Sequence, residues 1–156
     1  MKSLIAAAIL LSTAASALAA SPTDLDGAKT PNGRIVVDFV DMEFNQHKPA
    51  EAFDKHVGAG FVNRFAGGPH VIVDNNFAGQ KAAETKVFAG STSLTLAIKK
   101  VLAQGDLVFV QGMAKHDPTS TGNQVWMLFR LKEGKIVEHW DLHAGLPENS
   151  DPDLYF

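Results

Sequence analysis

The chain has 156 residues, with 14 Lys and Arg against 17 Asp and Glu, no cysteine and 46% hydrophobic residues. That length fits one domain, and the lack of cysteine excludes disulfide scaffolds, thiol catalysis and cysteine-bound metals. A net charge of −3 with nothing more basic than Lys99-Lys100 argues against nucleic acid as a partner, since phosphate binding draws on clustered Lys and Arg.

Residues 1–19 read as a secretory signal peptide: Lys2 supplies a positive start, Leu4 to Leu11 an apolar run, and Ala17-Leu18-Ala19 a small-residue cleavage site. The apolar stretch is too short and too broken by Ser12, Thr13 and Ser16 for a comfortable membrane span of ~20 residues. The expectation is a periplasmic or secreted protein with no membrane association after signal removal. Residues 20–33, rich in Ser, Pro, Thr, Asp and Gly, read as a mobile leader to a single domain over 34–156.

Thr30 or Asn32 can cap a first helix and Pro31 suits its first turn; Ile35, Val36, Phe39, Val40 and Met42 make an apolar stripe running to about Gln46. Pro49 opens a short second helix to about His56, ended by Gly58. Phe61 to Phe65 is a short strand closed by Gly67-Gly68-Pro69. A third, only moderately amphipathic helix follows from an Asp74 cap to about Ala89, stopped by Gly90. After Ser91 the period becomes two: Leu94, Leu96 and Ile98 alternate with Thr95, Ala97 and Lys99. Turns at Gly105-Asp106, Asp117–Asn123 and Glu133-Gly134 then separate strands over Leu107–His116, Gln124–Leu131 and Lys135–His143. Helices followed by hairpin-linked strands predict an α+β fold, a cone-shaped curved antiparallel sheet wrapped around three N-terminal helices. The concave apolar face is the default ligand site.

The densest polar cluster is Glu138-His139-Trp140-Asp141-Leu142-His143. Period two puts Val137, His139, Asp141 and His143 on one face and Ile136, Glu138, Trp140 and Leu142 on the other. If the first face lines the cone, burial would favour an Asp able to carry a proton; if it lies outside, the same groups are a solvated edge. A metal reading of His-x-Asp-x-His is weaker, because His139 and His143 would stand ~13 Å apart on an extended strand and a third ligand such as His116 would be needed. No metal is therefore expected. Ser91-Thr92-Ser93 lacks a nucleophile-elbow context, and Gly67-Gly68 and Gly58-x-Gly60 lack the spacing of a phosphate loop. The aromatic residues, Phe109 and Phe129 among them, serve as core or pocket wall.

Three segments, Glu43-Phe44-Asn45-Gln46-His47-Lys48-Pro49-Ala50-Glu51-Ala52, Gln104-Gly105-Asp106-Leu107-Val108, and Phe129-Arg130-Leu131 through Gly134-Lys135-Ile136-Val137-Glu138-His139-Trp140-Asp141, resemble the SnoaL-like polyketide cyclase family. The tail from Leu146-Pro147 to Phe156 resembles that of a bacterial subgroup described as aldol-condensation enzymes. The resemblance runs from about Gly33 to Phe156. It implies the nuclear-transport-factor-like cone fold, a homodimer paired through the sheet, and a small apolar or cyclic carbonyl ligand. It also implies acid/base chemistry without metal or organic cofactor, in which Asp141 removes a proton α to a carbonyl and His139 stands beside it.

Three positions depart from the family pattern: Asn63-Arg64-Phe65-Ala66 stands where relatives commonly read Gln-His-Asn-Pro, Gln111 replaces a usual His, and Met127 replaces a usual Asp. An inward Arg64 would hold an enolate or anionic ligand and lower the pKa of Asp141. Arg64, Gln111, Met127, Phe129 and Phe109 are thus the expected pocket residues around Asp141 and His139. The leading expectation is an acid/base enzyme for aldol cyclisation, isomerisation or dehydration. The alternative is a non-catalytic periplasmic ligand-binding or assembly module of the same fold, which the changed positions favour.

Overall fold

Thr30, placed ahead of Pro31, opens helix α1 (Pro31–Val40) and accepts the Gly33 N–H on its Oγ1 at 2.9 Å. The computed structural model describes residues 24–64 and 76–156; the signal peptide and the expected features at Phe65, Gly67-Gly68-Pro69 and Asp74 lie outside them. Val36, Phe39 and Val40 form the buried stripe of α1. The helix does not run on as α-helix to Gln46. After Val40 it widens into a π-turn, Asp41–Asn45, closed by a hydrogen bond from Gln46 N–H to Asp41 O at 2.9 Å. Such turns often mark functional sites, and this one buries Met42 and Glu43 side by side.

Helix α2 (Pro49–His56) buries Ala52 and Phe53 and passes straight into strand β1 (Val57–Asn63), so the strand begins at Val57 rather than Phe61 and Gly58 lies within it. Helix α3 (Phe77–Gly90) is capped by Asn76, whose Oδ1 accepts the Gly79 N–H at 3.0 Å. The expected mobile leader is ordered from Asp24 onward: Val101 N–H donates to Asp24 O at 2.6 Å, and Asp26–Lys29 forms a 3-10 turn. Gly27 permits this approach, because a Cβ there would lie 2.3 Å from Val101 O.

Strands β2 (Thr95–Gln104), β3 (Leu107–Lys115), β4 (Asn123–Lys132) and β5 (Lys135–Gly145) are successive antiparallel neighbours, and β1 joins β5 in parallel. The order β1-β5-β4-β3-β2 makes a mixed rather than wholly antiparallel sheet. Gly105, at φ 61°, opens the two-residue β2–β3 turn. Glu133 and Gly134, at φ 53° and 74°, form the β4–β5 turn with both central residues left-handed, as a type I′ hairpin requires.

One face of the sheet, carrying Leu96, Val101, Val108, Val110, Val125, Met127, Phe129 and Leu131, packs against the helices. Phe39 bridges the layers, edge-on to Phe53 at 5.5 Å and to Phe129 at 5.9 Å. The opposite face carries Leu102, Phe109, Leu128, Trp126, Trp140 and Leu142, of which Leu102, Trp126 and Leu142 are exposed. The C-terminal turn Pro152–Tyr155 folds onto this outer face.

Candidate functional site

Strand β5 carries a bulge. Leu131 faces Ile136 while Arg130 faces Glu138, which leaves Val137 as the extra residue. Ile136 is therefore fully buried among the core residues, not on the outer face that strict alternation gives it. Beyond the bulge the alternation holds: His139 stands opposite Phe129, Asp141 opposite Met127 and His143 opposite Val125, all on the concave face.

The site grows from these three side chains. His139 stacks on Phe129, ring centroids 4.6 Å apart and planes 15° off parallel. Its Nε2 is sealed from solvent without a hydrogen-bond partner among the described residues. Burial disfavours the imidazolium, and despite the opposing pull of Asp141 the His139 pKa falls to about 4, so the ring is neutral at neutral pH. Asp141 is held through Oδ2 by His143 Nε2 at 2.9 Å, and its Oδ1 is buried and unpartnered. His143 is half exposed and forms the rim.

Two helical carboxyls complete the interior, and neither was among the expected site residues. Glu43, 6% exposed, projects from the π-turn; burial first, then the charges of Glu84 and Asp141, push its pKa well above the usual carboxylate range. Glu84, on α3, is pushed up to about 7 by burial, with Asp141 adding to the rise and the hydrogen bond from Gln80 opposing it. Gln80 relays between layers: its Nε2 donates to Glu84 Oε1 at 2.5 Å, and its Oε1 accepts from Asn63 Nδ2 at 2.8 Å. This fixes both amides, so Asn63 Oδ1 is left buried without a partner. Asn63 lies beside His139 across the β1–β5 pair.

The sequence does carry a signal for these residues. Glu43 stands four residues after Phe39 and three after Val40, on the stripe that α1 buries. Gln80 and Glu84 occupy the face of α3 that also holds Phe77 and Phe88. Polar residues on that stripe are what make α3 look weakly amphipathic.

Of the expected pocket residues, Met127 and Phe129 line the concave face, at 3% and 1% exposure. Arg64, Gln111 and Phe109 do not. Arg64 is exposed and pairs with Glu138 Oε1 at 3.1 Å on the outer face, near Trp140. The step from Asn63 to Arg64 reverses side, and Asn63 takes the inward position. Gln111 and Phe109 fall on the outward set of β3, between the inward Val108, Val110 and Gly112. Gln111 Nε2 donates to Tyr155 O at 3.1 Å, a bond shared with Gln124 at 2.6 Å. His116 is exposed at the end of β3. Among the described residues no three His, Asp or Glu side chains converge to hold a metal ion.

A concave, helix-backed sheet with an interior acid/imidazole cluster is the arrangement of a cone-fold domain. The SnoaL-like domain family matches residues 36–139, and the chain belongs to that family. No curated protein matches it. Among solved structures, a candidate SnoaL-like polyketide cyclase from Jannaschia sp. superposes with a TM-score of 0.60 at 19% identity, covering 78% of this chain and 91% of that one. IdmH from Streptomyces antibioticus, described as a candidate polyketide cyclase, gives 0.58 at 15% identity over 72% of this chain and 91% of its own. An NTF2-like protein of unknown function from Cytophaga hutchinsonii gives 0.56 at 14% identity, over 81% and 95%. At these identities the likeness establishes the fold.

Proposed function

We propose that the protein is an exported, cofactor-independent acid/base catalyst that moves a proton α to the carbonyl of a small apolar or cyclic compound. The observation that carries this reading is Asp141: one carboxylate oxygen is anchored by His143, and the other is buried, unpartnered and turned to the concave face beside His139. A carboxylate so placed can take an acidic proton from carbon, and the C–H bonding pair passes into an enolate. The neutral His139 ring, with its proton on Nε2, can donate to the enolate oxygen, as can a protonated Glu43. Returning the proton at another carbon gives isomerisation; attack of the enolate on a second carbonyl gives ring closure.

The test is enolisation itself. In D2O the protein should exchange the α-protons of cyclohexanone or 2-tetralone, followed by NMR. Asp141→Asn should slow that exchange at least about 100-fold while ligand-induced shifts persist, since a positioned acid/base group contributes on the order of 10²–10⁴ in rate. Exchange unaffected by the substitution would sink the assignment. Met127, an apolar side chain on the concave face opposite Asp141 where the family resemblance implies an Asp, favours a second reading, a non-catalytic periplasmic binding or assembly module. Ligand-induced shifts without any exchange select it. In either reading the exposed apolar sheet face pairs two copies into a dimer.

A further inference from the structure

We infer that the ligand of the concave site carries a primary ammonium group, received by the Asn63 carbonyl and the Asp141 carboxylate, with the Glu43 and Glu84 carboxyls close by. The inference rests on reading this interior as the binding site and adds the chemical class of the ligand.

Among the described residues, two of the three buried, unpartnered side-chain polar atoms, Asn63 Oδ1 and Asp141 Oδ1, are acceptors. The first is an acceptor by construction: Glu84 takes one amide hydrogen of Gln80, Gln80 therefore offers its oxygen to Asn63, and Asn63 must present its own oxygen to the site. Asn63 is only 8% exposed, so an unmet carbonyl there is costly unless a donor arrives.

The charge balance points the same way. The Asp141 charge on β5 is near enough to raise the pKa of Glu43 on the π-turn and of Glu84 on α3, and Glu84 adds to the rise of Glu43. The imidazoles facing them are His139, which is neutral, and the rim residue His143. The basic residues of the surrounding elements turn elsewhere: Arg64 and Arg130 pair with Glu138, Lys81 pairs with Asp54, and Lys86 is exposed. An interior rich in carboxyls and lacking an inward Lys or Arg among the described residues repels an anionic ligand. It rewards a cation. A primary ammonium brings three N–H donors for the Asn63 and Asp141 oxygens, and its charge suits the neighbouring carboxyls.

The full-length chain would be titrated with cyclohexylammonium, cyclohexanone and cyclohexanecarboxylate at pH 6.5, by calorimetry in phosphate and in HEPES and by amide NMR. Cyclohexylammonium should bind at least about tenfold more tightly than the ketone, because charge-assisted hydrogen bonds are the strong ones. It should also release protons, since the cation draws Glu84 and Glu43 into their ionised forms. Glu84→Gln should cut that release and weaken the ammonium at least fivefold relative to the ketone, as judged within one folded variant. Equal or tighter binding of the ketone or the carboxylate overturns the inference, as does the absence of binding by any probe or ammonium binding indifferent to Glu84→Gln. Asp141-dependent exchange of cyclohexanone in a protein that does not prefer the ammonium overturns the inference alone. Ammonium preference without any exchange overturns the catalytic reading alone.

Discussion

Glu84 and His139 face the same interior and have their ionisation displaced in opposite directions, with consequences for stability that can be separated. Glu84 titrates at about 7 in the folded chain, above its ordinary value, so the folded state binds more protons than the unfolded chain between about pH 4.5 and 7. Its contribution is fully present at low pH and is lost as pH rises through 7. His139, lowered to about 4, binds fewer protons when folded, so its penalty appears as pH falls from about 6.5 to 4. Glu84→Gln should therefore gain on the wild type as pH rises from 5 to 8, by about 5 °C in Tm for a chain of this size. A Tm difference that does not change over that range would refute the assignment. The sequence could present Asp141 and His139 as a pair, because a strand's period-two alternation is local. It shows Glu43 and Glu84 only as polar residues on apolar helical stripes, a pattern that gains meaning when the sheet closes over them.

At the level of the elements, helix and strand identities were legible and their junctions were not. Turn residues announced the β2–β3 and β4–β5 hairpins, where Gly105, Glu133 and Gly134 adopt the left-handed conformations those turns need. The π-turn at Asp41–Asn45 and the seamless passage from α2 to β1 left no such punctuation. Phe109, Gln111 and Arg64 were misplaced for a related reason: alternation separates the two faces of a strand without saying which is concave. The ordered entry segment shows the tertiary term that composition hides. A Cβ on Gly33 would stand 1.9 Å from Gly27 O, so Gly33→Ala should cost about 1–3 kcal/mol in urea unfolding, as overpacking usually does. Gly90→Ala, with nothing within 4 Å of the added carbon, is the control and should leave stability unchanged or raise it. Equal costs at the two sites would refute the packing explanation.

For the molecule as a whole, the outer sheet face is the feature that a solitary chain explains least well. Leu102, Phe109, Leu128 and Trp140 form a cross-strand apolar row, flanked by Trp126 and Leu142 at 44% and 54% exposure. Exposed apolar surface this continuous is typical of an interaction site. The proposed dimer uses it, and Trp126→Glu with Leu142→Asp should shift the protein from dimer to monomer in analytical ultracentrifugation at micromolar concentration. A monomeric wild type would end the proposal. The intact mass of the same sample reports whether cleavage falls near Ala19.

The bulge at Val137 has a consequence best put in terms of the gene. Ile136 and His139 share the concave face although an odd number of positions separates them, and the extra residue makes that possible. A three-base deletion at codon 137 would leave every later side chain of β5 opposite its present partner. The same deletion at codon 140 would exchange the two faces beyond it, turning the carboxylate of Asp141 outward and the isobutyl group of Leu142 inward. One strand thus holds a position where the reading frame of the fold tolerates a lost residue, a few codons from positions where it does not.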